Sequence, residues 1–588
     1  MPEGYVVLVL HAHLPYVLSH GKWPHGSDWL CEAASETYIP LLNLLGSLSA
    51  TKRSAHFTVG ITPVLCEMLA SPLFTSEFQG YLGEKLQAAE RDRRTFEDRG
   101  EGEMAFLAAQ WQRFYESRLA DFRDVYRQDL LAAFRQFQEE GQIEIIVSAA
   151  THAYLPLLRL DSSINAQIGQ GVATYRKHFS REPAGMWLPE CAYRPESVPT
   201  EGRPRPAGRR GLEAFLAAHH LKYFFVDGRH LLGQPENPAG YAAEVDRGLS
   251  PEGAAQGPPG MYRDRIGGAR VPLPAGEITQ EPASTEESMR LYAIHRTGRP
   301  GSETAFFTRD TDTSQQVWSA GRGYPGDPYY LEFHKKRNPG GLRYWRVTDR
   351  LADLGSKKAY EPDKAGERVQ EHARHFAGLV QEKLSRYHQE TGRTGVLTLP
   401  FDAELFGHWW FEGPAWLGAL VSAFDESCVT IEKASTALEN VVPLGTIGLP
   451  EGSWGEGGLH LIWQNKETAW TWRWLYEAER DMERLVRKAA HDEASERLLK
   501  QMARELFLLQ SSDWQFLIST KTAGDYGKSR FLGHYHACRK LGSIFDGYRK
   551  SGALSDRDRQ TLLLLEKKDA LFDNVKLEWF KERTGDGL

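Results

Sequence analysis

Short apolar runs that break off at a polar residue constrain this chain more than any other feature. Residues 5–10 lead into His11 and His13, and residues 57–61 form a second run. Residues 143–147 lead to Ser148 and His152, residues 186–188 to Glu190, 223–226 to Asp227 and 396–399 to Asp402. Runs without polar alternation suit strands buried on both faces, as a parallel sheet requires. Helical patterns such as 172–179 and 212–220 lie between many of them. Strand, polar strand end and helix in repetition is the pattern of an α/β barrel or wound sheet. In a barrel, the C-terminal strand ends carry the reacting groups.

Three segments break this rhythm. Residues 75–140 are charged and helical, with apolar spacing at Leu119, Phe122, Tyr126, Leu130 and Phe134, and read as an inserted helical subdomain. Residues 232–305 are rich in Pro, Gly and charge, a long loop or lid region. From 435 to 588 helical patterns dominate, with one stripe at Leu498, Met502, Leu506 and Leu509. The chain is therefore expected to be a catalytic α/β unit over 1–434 and a helical domain over 435–588.

Composition narrows the function. The net charge is −7 with both signs mixed along the chain, so a phosphate-tracking surface for nucleic acid is not expected. No stretch approaches the roughly 20 apolar residues of a membrane span. The first residues lack a basic leader and a cleavage site and read as a strand. Five widely spaced cysteines include no CxxC pair, against a structural zinc site or a disulfide framework and in keeping with a reducing cytoplasm.

Sixteen tryptophans, many beside Gly, His, Asp or Asn, are more than a core needs. Indole rings among polar groups suit a sugar, whose apolar face stacks while its hydroxyls seek partners. Two carboxylates sit in such surroundings. Glu190 lies in MWLPECAYRPE between Trp187 and Tyr193. Asp402 lies in LTLPFDAELFGHWWFEGP with Glu404, His408, Trp409, Trp410 and Glu412. Glu190 could simply be a surface acid paired with Arg194, but a dry carboxylate at a strand end is a better nucleophile or acid. Glu404 fits a helix-start or supporting role. Two acids from two strand ends are what glycosyl transfer needs, held roughly 5–5.5 Å apart when configuration is retained.

HAHLPY (residues 11–16) leaves two readings open. His11 and His13 could bind metal together with His152 and Asp402, or they could hydrogen-bond sugar hydroxyls. The crowding tryptophans favour sugar. In residues 457–474, Trp463 and Trp472 would face opposite ways on one helix. If both meet a ligand, Trp463 must precede the helix. Trp470 and Trp474, four apart, read as a core stripe.

At these motifs the sequence resembles glycoside hydrolase family 57, and within it the 1,4-α-glucan branching enzymes. HAHLPY, GKWPHGSDWLCEAASETYIPLL, GQIEIIVSAATHAYLPLL, WLPECAYRPE, QVWSAGRGYPGDPYYLEFHKK, LPFDAELFGHWWFEGP and LLQSSDWQFLISTKTAGDY carry the likeness over nearly the whole chain. The resemblance implies a (β/α)7 barrel with an inserted helical subdomain and a C-terminal all-helical domain. It implies retention of configuration, no cofactor and no metal. It makes Glu190 the nucleophile, Asp402 the acid/base and His11 the neighbour of the nucleophile. Trp23, Trp318, Trp463 and Trp472 match glucan-contacting tryptophans, and His152 lines the site. His13, Trp29 and Trp410, in the same motifs, are assigned to the glucan too. Tyr262 of GMYRD is the best match to a lid tyrosine. The implied partner is an α-1,4-glucan such as amylose or glycogen, acted on by a monomer or small homo-oligomer. An amylase-type hydrolase or 4-α-glucanotransferase would use the same site. A metal-dependent hydrolase and a non-catalytic glucan-binding protein are the remaining alternatives.

Overall fold

The computed structural model describes residues 2–196, 209–232, 285–319, 323–425, 427–488 and 492–581. Nine strands occur among these: β1 (Gly4–Ala12), β2 (Phe57–Ile61), β3 (Ile143–Ser148), β4 (Gly185–Trp187), β5 (Tyr223–Asp227), β6 (His295–Thr297), β7 (Thr304–Arg309), β8 (Gly395–Asp402) and β9 (Val429–Ile431). β1, β2, β3, β4, β5, β7 and β8 pair in that order, each parallel to the next, and β8 returns to β1. This is the closed seven-stranded parallel barrel that the resemblance implies. β9 pairs outside the ring with β1, and β6 pairs antiparallel with β7.

The register explains why apolar runs end in polar groups. Val7, Val9, Ile146, Trp187, Tyr223, Phe225, Phe307 and Val396 form one buried cluster, separate from the larger core under the helices. A barrel of this kind is a packed core whose reactive groups emerge only at the strand ends. β1 and β8 run in step, so His11 lies opposite Asp402. β8 continues through Pro400 to Asp402 instead of stopping at the proline.

Two expectations need correction. The region 232–305 is not all loop: its described end holds the helix Thr285–Leu291, β6 and the start of β7. The run Ala305–Phe307 was masked by the polar composition around it, yet it completes the ring. The boundary after residue 434 falls inside the helix Ala434–Asn440. Ala434 and Ala437 pack into the barrel cluster, and the backbone N–H of Ala434 donates to Thr58 Oγ1 at 3.0 Å.

Helices Pro72–Asp98, Gly102–Ala120 and Leu130–Glu139 lie between β2 and β3. Helices Ala469–Arg487, Glu493–Leu509, Asp513–Thr520, Gly524–Ser551 and Asp556–Lys568 follow the barrel. They dock on it by polar contacts as well as apolar ones. Gln167 Nε2 donates to Gln510 Oε1 at 2.9 Å, and Thr151 Oγ1 donates to the Phe507 carbonyl. Such buried groups resist separation because unpaired they lose solvation without compensation.

Candidate active site

Glu190 sits just past the end of β4 in a left-handed backbone conformation, φ 62° and ψ 24°. His152, after β3, has φ 56°. For residues with a Cβ this costs on the order of 1–3 kcal/mol each and persists where packing enforces it. The tight turn aims the Glu190 carboxylate at groups from distant chain segments. Trp454 Nε1 donates to its Oε2 at 2.8 Å and Ser512 Oγ donates to its Oε1 at 3.1 Å. Trp454 also donates its backbone N–H to the Glu190 carbonyl at 3.1 Å.

A hydrogen-bonded chain continues from Ser512. His152 Nδ1 lies 3.0 Å from Ser512 Oγ, and His152 Nε2 lies 3.1 Å from His11 Nε2. With Ser512 donating to Glu190, His152 must donate through Nδ1 and accept through Nε2 from His11. His11 Nδ1 is then a buried acceptor without a partner, as found. Burial, together with the neighbouring imidazoles, pushes His11 well below the ordinary histidine range. His152 is also pushed well below it, by burial first and then His13. Both rings are neutral, which the donor–acceptor chain requires. His11 stacks on Trp187 with 4.5 Å between ring centres. Gly60 opposite it in β2 makes room: a Cβ there would lie 2.9 Å from His11 Nδ1.

His13 stacks on His152 at 4.0 Å. Its Nε2 donates to Asp513 Oδ2 at 3.0 Å and its Nδ1 accepts from Thr62 Oγ1 at 3.1 Å. Burial would raise Asp513, but His13 and the hydrogen bonds it receives hold it below its usual value. Glu404 accepts from Tyr38 Oη at 2.5 Å and from the His13 backbone N–H at 3.1 Å. It braces the end of β1, the supporting role allowed for it in the sequence.

Burial lifts Glu190 to about 8; the Trp454 N–H pulls it down, Asp402 and Asp513 push it up, and Ser512 pulls it down. Burial is the main reason the Glu190 carboxyl keeps its proton where an isolated carboxyl would have lost it, and the Asp402 charge adds to that.

The other sequence-assigned residues scatter. Trp23 is 80% exposed on the segment after β1, while Trp29 is half-buried near His25. Trp318 is half-buried with its ring edge toward Trp409. Trp410 is a core residue at 1% exposure, packed among Tyr330, Phe406 and Trp416. That placement gives it no open face for a sugar. Trp463 does precede its helix; it is buried against Tyr154, and Trp472 Nε1 donates to its carbonyl at 2.8 Å. Trp472 is thus a buttress behind Trp463, also 1% exposed. Trp470 and Trp474 meet edge to face as a core stripe. Tyr262 lies outside the described residues. Trp454, Ser512 and Asp513 received no role from the sequence. Their signals were present as SWG and SSDW, but their distances from Glu190 along the chain, 264 and 322 residues for the first two, hid them.

A second cluster of imidazoles and carboxylates ties the loop after β1 to the C-terminal helices. His20 Nε2 donates to Asp569 Oδ1 at 2.6 Å, and His534 Nδ1 lies 2.8 Å from Glu505 Oε2. Arg530 Nη2 donates to His534 Nε2 at 3.2 Å, and Gln501 Nε2 donates to Glu505 Oε1 at 3.0 Å. Burial, reinforced by Asp569, raises Glu505 well above the carboxylate range. His20, His534 and Asp569 lie close enough to hold a cation, but hydrogen bonds already occupy both ring nitrogens of His534, Nε2 of His20 and one Asp569 oxygen.

Residues 7–447 match the family model described as glycosyl hydrolase family 57, and residues 474–580 match that of the 1,4-alpha-glucan branching enzyme C-terminal region. A 1,4-alpha-glucan branching enzyme of Thermococcus kodakarensis is 40% identical over 97% of this chain and 78% of its own length. The crystal structure of a branching enzyme of this type from Pyrococcus horikoshii superposes with a TM-score of 0.83 at 36% identity, covering 100% of this chain and 98% of that one. An alpha-amylase from Thermotoga maritima gives a TM-score of 0.78 at 29% identity, covering 99% and 100%.

Proposed function

The chain belongs to glycosyl hydrolase family 57, and on that premise we propose that it is a 1,4-α-glucan branching enzyme working by double displacement at Glu190 and Asp402. The observation that carries the chemistry is the strained strand-end Glu190, its two carboxylate oxygens held by Trp454 and Ser512. In the first half-reaction the Glu190 carboxylate bonds to C1 of a glucosyl unit while the C1–O4 bond breaks and Asp402 gives its proton to O4. In the second, a 6-hydroxyl of an acceptor glucan attacks C1, Asp402 takes its proton, and the bond to Glu190 breaks. Two inversions retain configuration. The first half-reaction needs Glu190 ionised and Asp402 protonated once glucan is bound.

The donors around Glu190 suit that state, since Trp454 and Ser512 stabilise the carboxylate. His11, His13, His152, Trp29, Trp318 and the exposed Trp23 are assigned to the glucan; Trp463, with Trp472 bonded to its carbonyl, is as buried as Trp410, and all three are core residues. No cofactor or metal is required. We read the helices of 75–140 as an inserted subdomain and those from Ala469 onward as the C-terminal helical domain. The setting proposed is glycogen formation in the cytoplasm by a monomer or small homo-oligomer; the five cysteines are free, and among the described residues no helix is long and apolar enough to cross a membrane.

Hydrolysis is the second reading, favoured by the likeness to the Thermotoga maritima amylase. It differs only in the acceptor, water in place of a 6-hydroxyl. Incubation with amylose separates the two. New 1,6-linkage signals in the proton NMR spectrum with few new reducing ends are expected; reducing ends without 1,6 linkages would overturn branching.

A further inference from the structure

Asp227, at the end of β5, is fully buried and has no part in the chemistry above. Its Oδ1 accepts from the backbone N–H of Arg229 at 3.0 Å and from Arg229 Nε at 2.8 Å. Its Oδ2 accepts from Arg309 Nη1 at 3.2 Å, from the end of β7. The neighbouring strands place these groups in register, Asp227 opposite Arg309. The cations hold Asp227 ionised even though burial opposes it.

Both arginines then reach the same tryptophan. Arg229 Nη2 donates to the Trp454 carbonyl at 2.8 Å. The Arg309 guanidinium lies 5.6 Å from the centre of the Trp454 ring, a cation–π distance. Trp187 meets that ring edge-on at 5.2 Å. A tryptophan held at its backbone carbonyl and its ring has little freedom left, and its indole N–H is the one that reaches Glu190 Oε2. We infer that Asp227 and Arg309 are positioning residues for transfer: they orient the Trp454 indole so that its N–H fixes the nucleophile and favours its carboxylate form. The inference rests on Glu190 being that nucleophile.

Steady-state kinetics on amylose across pH test it, using the full chain. Arg309→Met is expected to lower kcat about tenfold, leaving KM within about twofold. Losing a donor to the ionised form raises the Glu190 pKa, so the acid limb of the kcat/KM profile moves to higher pH. Arg309→Lys, which keeps the cation, recovers part of both effects. Trp454→Phe gives the same acid-limb shift, and adding Arg309→Met to it shifts the limb no further. A further shift in the double variant means that Arg309 acts on Glu190 directly through space and overturns the route through the indole. An unmoved limb in folded Arg309→Met overturns the inference outright. Asp227→Asn, isosteric and uncharged, decides the case if Arg309→Met fails to fold: it must move the limb in the same direction. Glu190→Gln separates the two levels, for if it retains turnover the nucleophile assignment falls first.

Discussion

The His11–His13–His152 stack and the His20–His534 pair are built from the same kinds of side chain, yet differ in backbone and in what they leave unsatisfied. Around the stack, His152 and Glu190 adopt left-handed conformations and His11 Nδ1 and Trp187 Nε1 have no partner. Around His20 and His534 neither imidazole is so strained and both are bonded to carboxylates, although Arg530 Nε beside them has no partner among the described residues. The first cluster carries backbone strain and unmet hydrogen-bonding capacity, and in the second each imidazole is closed by a carboxylate. Residue type alone therefore does not announce function; what matters is whether a cluster closes on itself.

The largest way to break this contrast is at Glu190, the proposed nucleophile. Glu190→Gln should lower turnover on amylose by on the order of 10⁴-fold or more while glucan binding persists. Turnover near the parent value would place Glu190 with the closed cluster instead.

Stability against pH sharpens the contrast. The Glu190 pKa is raised from 4.5 to about 8 by burial, so the folded state holds its proton more tightly than the unfolded chain. That contribution is complete below about pH 4.5 and is lost as the pH rises toward 8. Glutamine does not titrate. Thermal melts of Glu190→Gln and the parent should therefore diverge in the variant's favour between pH 5 and pH 9, and a constant difference would contradict the dry carboxylate.

The smallest effect on catalysis is expected at the closed cluster. His534→Ala leaves the buried Glu505 carboxyl without its imidazole partner and should cost about 2 kcal/mol of stability. Well below the melting temperature its kcat should stay within about twofold of the parent. A selective loss of kcat without a lower Tm would show that this cluster too serves the reaction.

The sequence made one half of the site readable and hid the other. Glu190 and Asp402 could be found because each follows an apolar run, and strand ends face the open mouth of a barrel. β7 was obscured because only Ala305–Phe307 is apolar amid polar neighbours. The tryptophans divided badly for a physical reason. Indole serves equally as a core filler and as a sugar platform, and only the fold decides which way the ring faces. Trp410 and Trp472 proved buried, while Trp454, 264 residues from Glu190 along the chain, holds its carboxylate. Ser512 and Asp513 begin a helix in a region that otherwise reads as apolar stripes.

Their position in the chain has a consequence for biosynthesis. A ribosome will have released most of the barrel before it polymerises Ser512 and Asp513. Until those residues emerge and the helix they begin docks, Glu190 lacks one of its two donors and His13 lacks its carboxylate. Through most of its synthesis the nascent chain therefore lacks the full set of groups around Glu190 and His13.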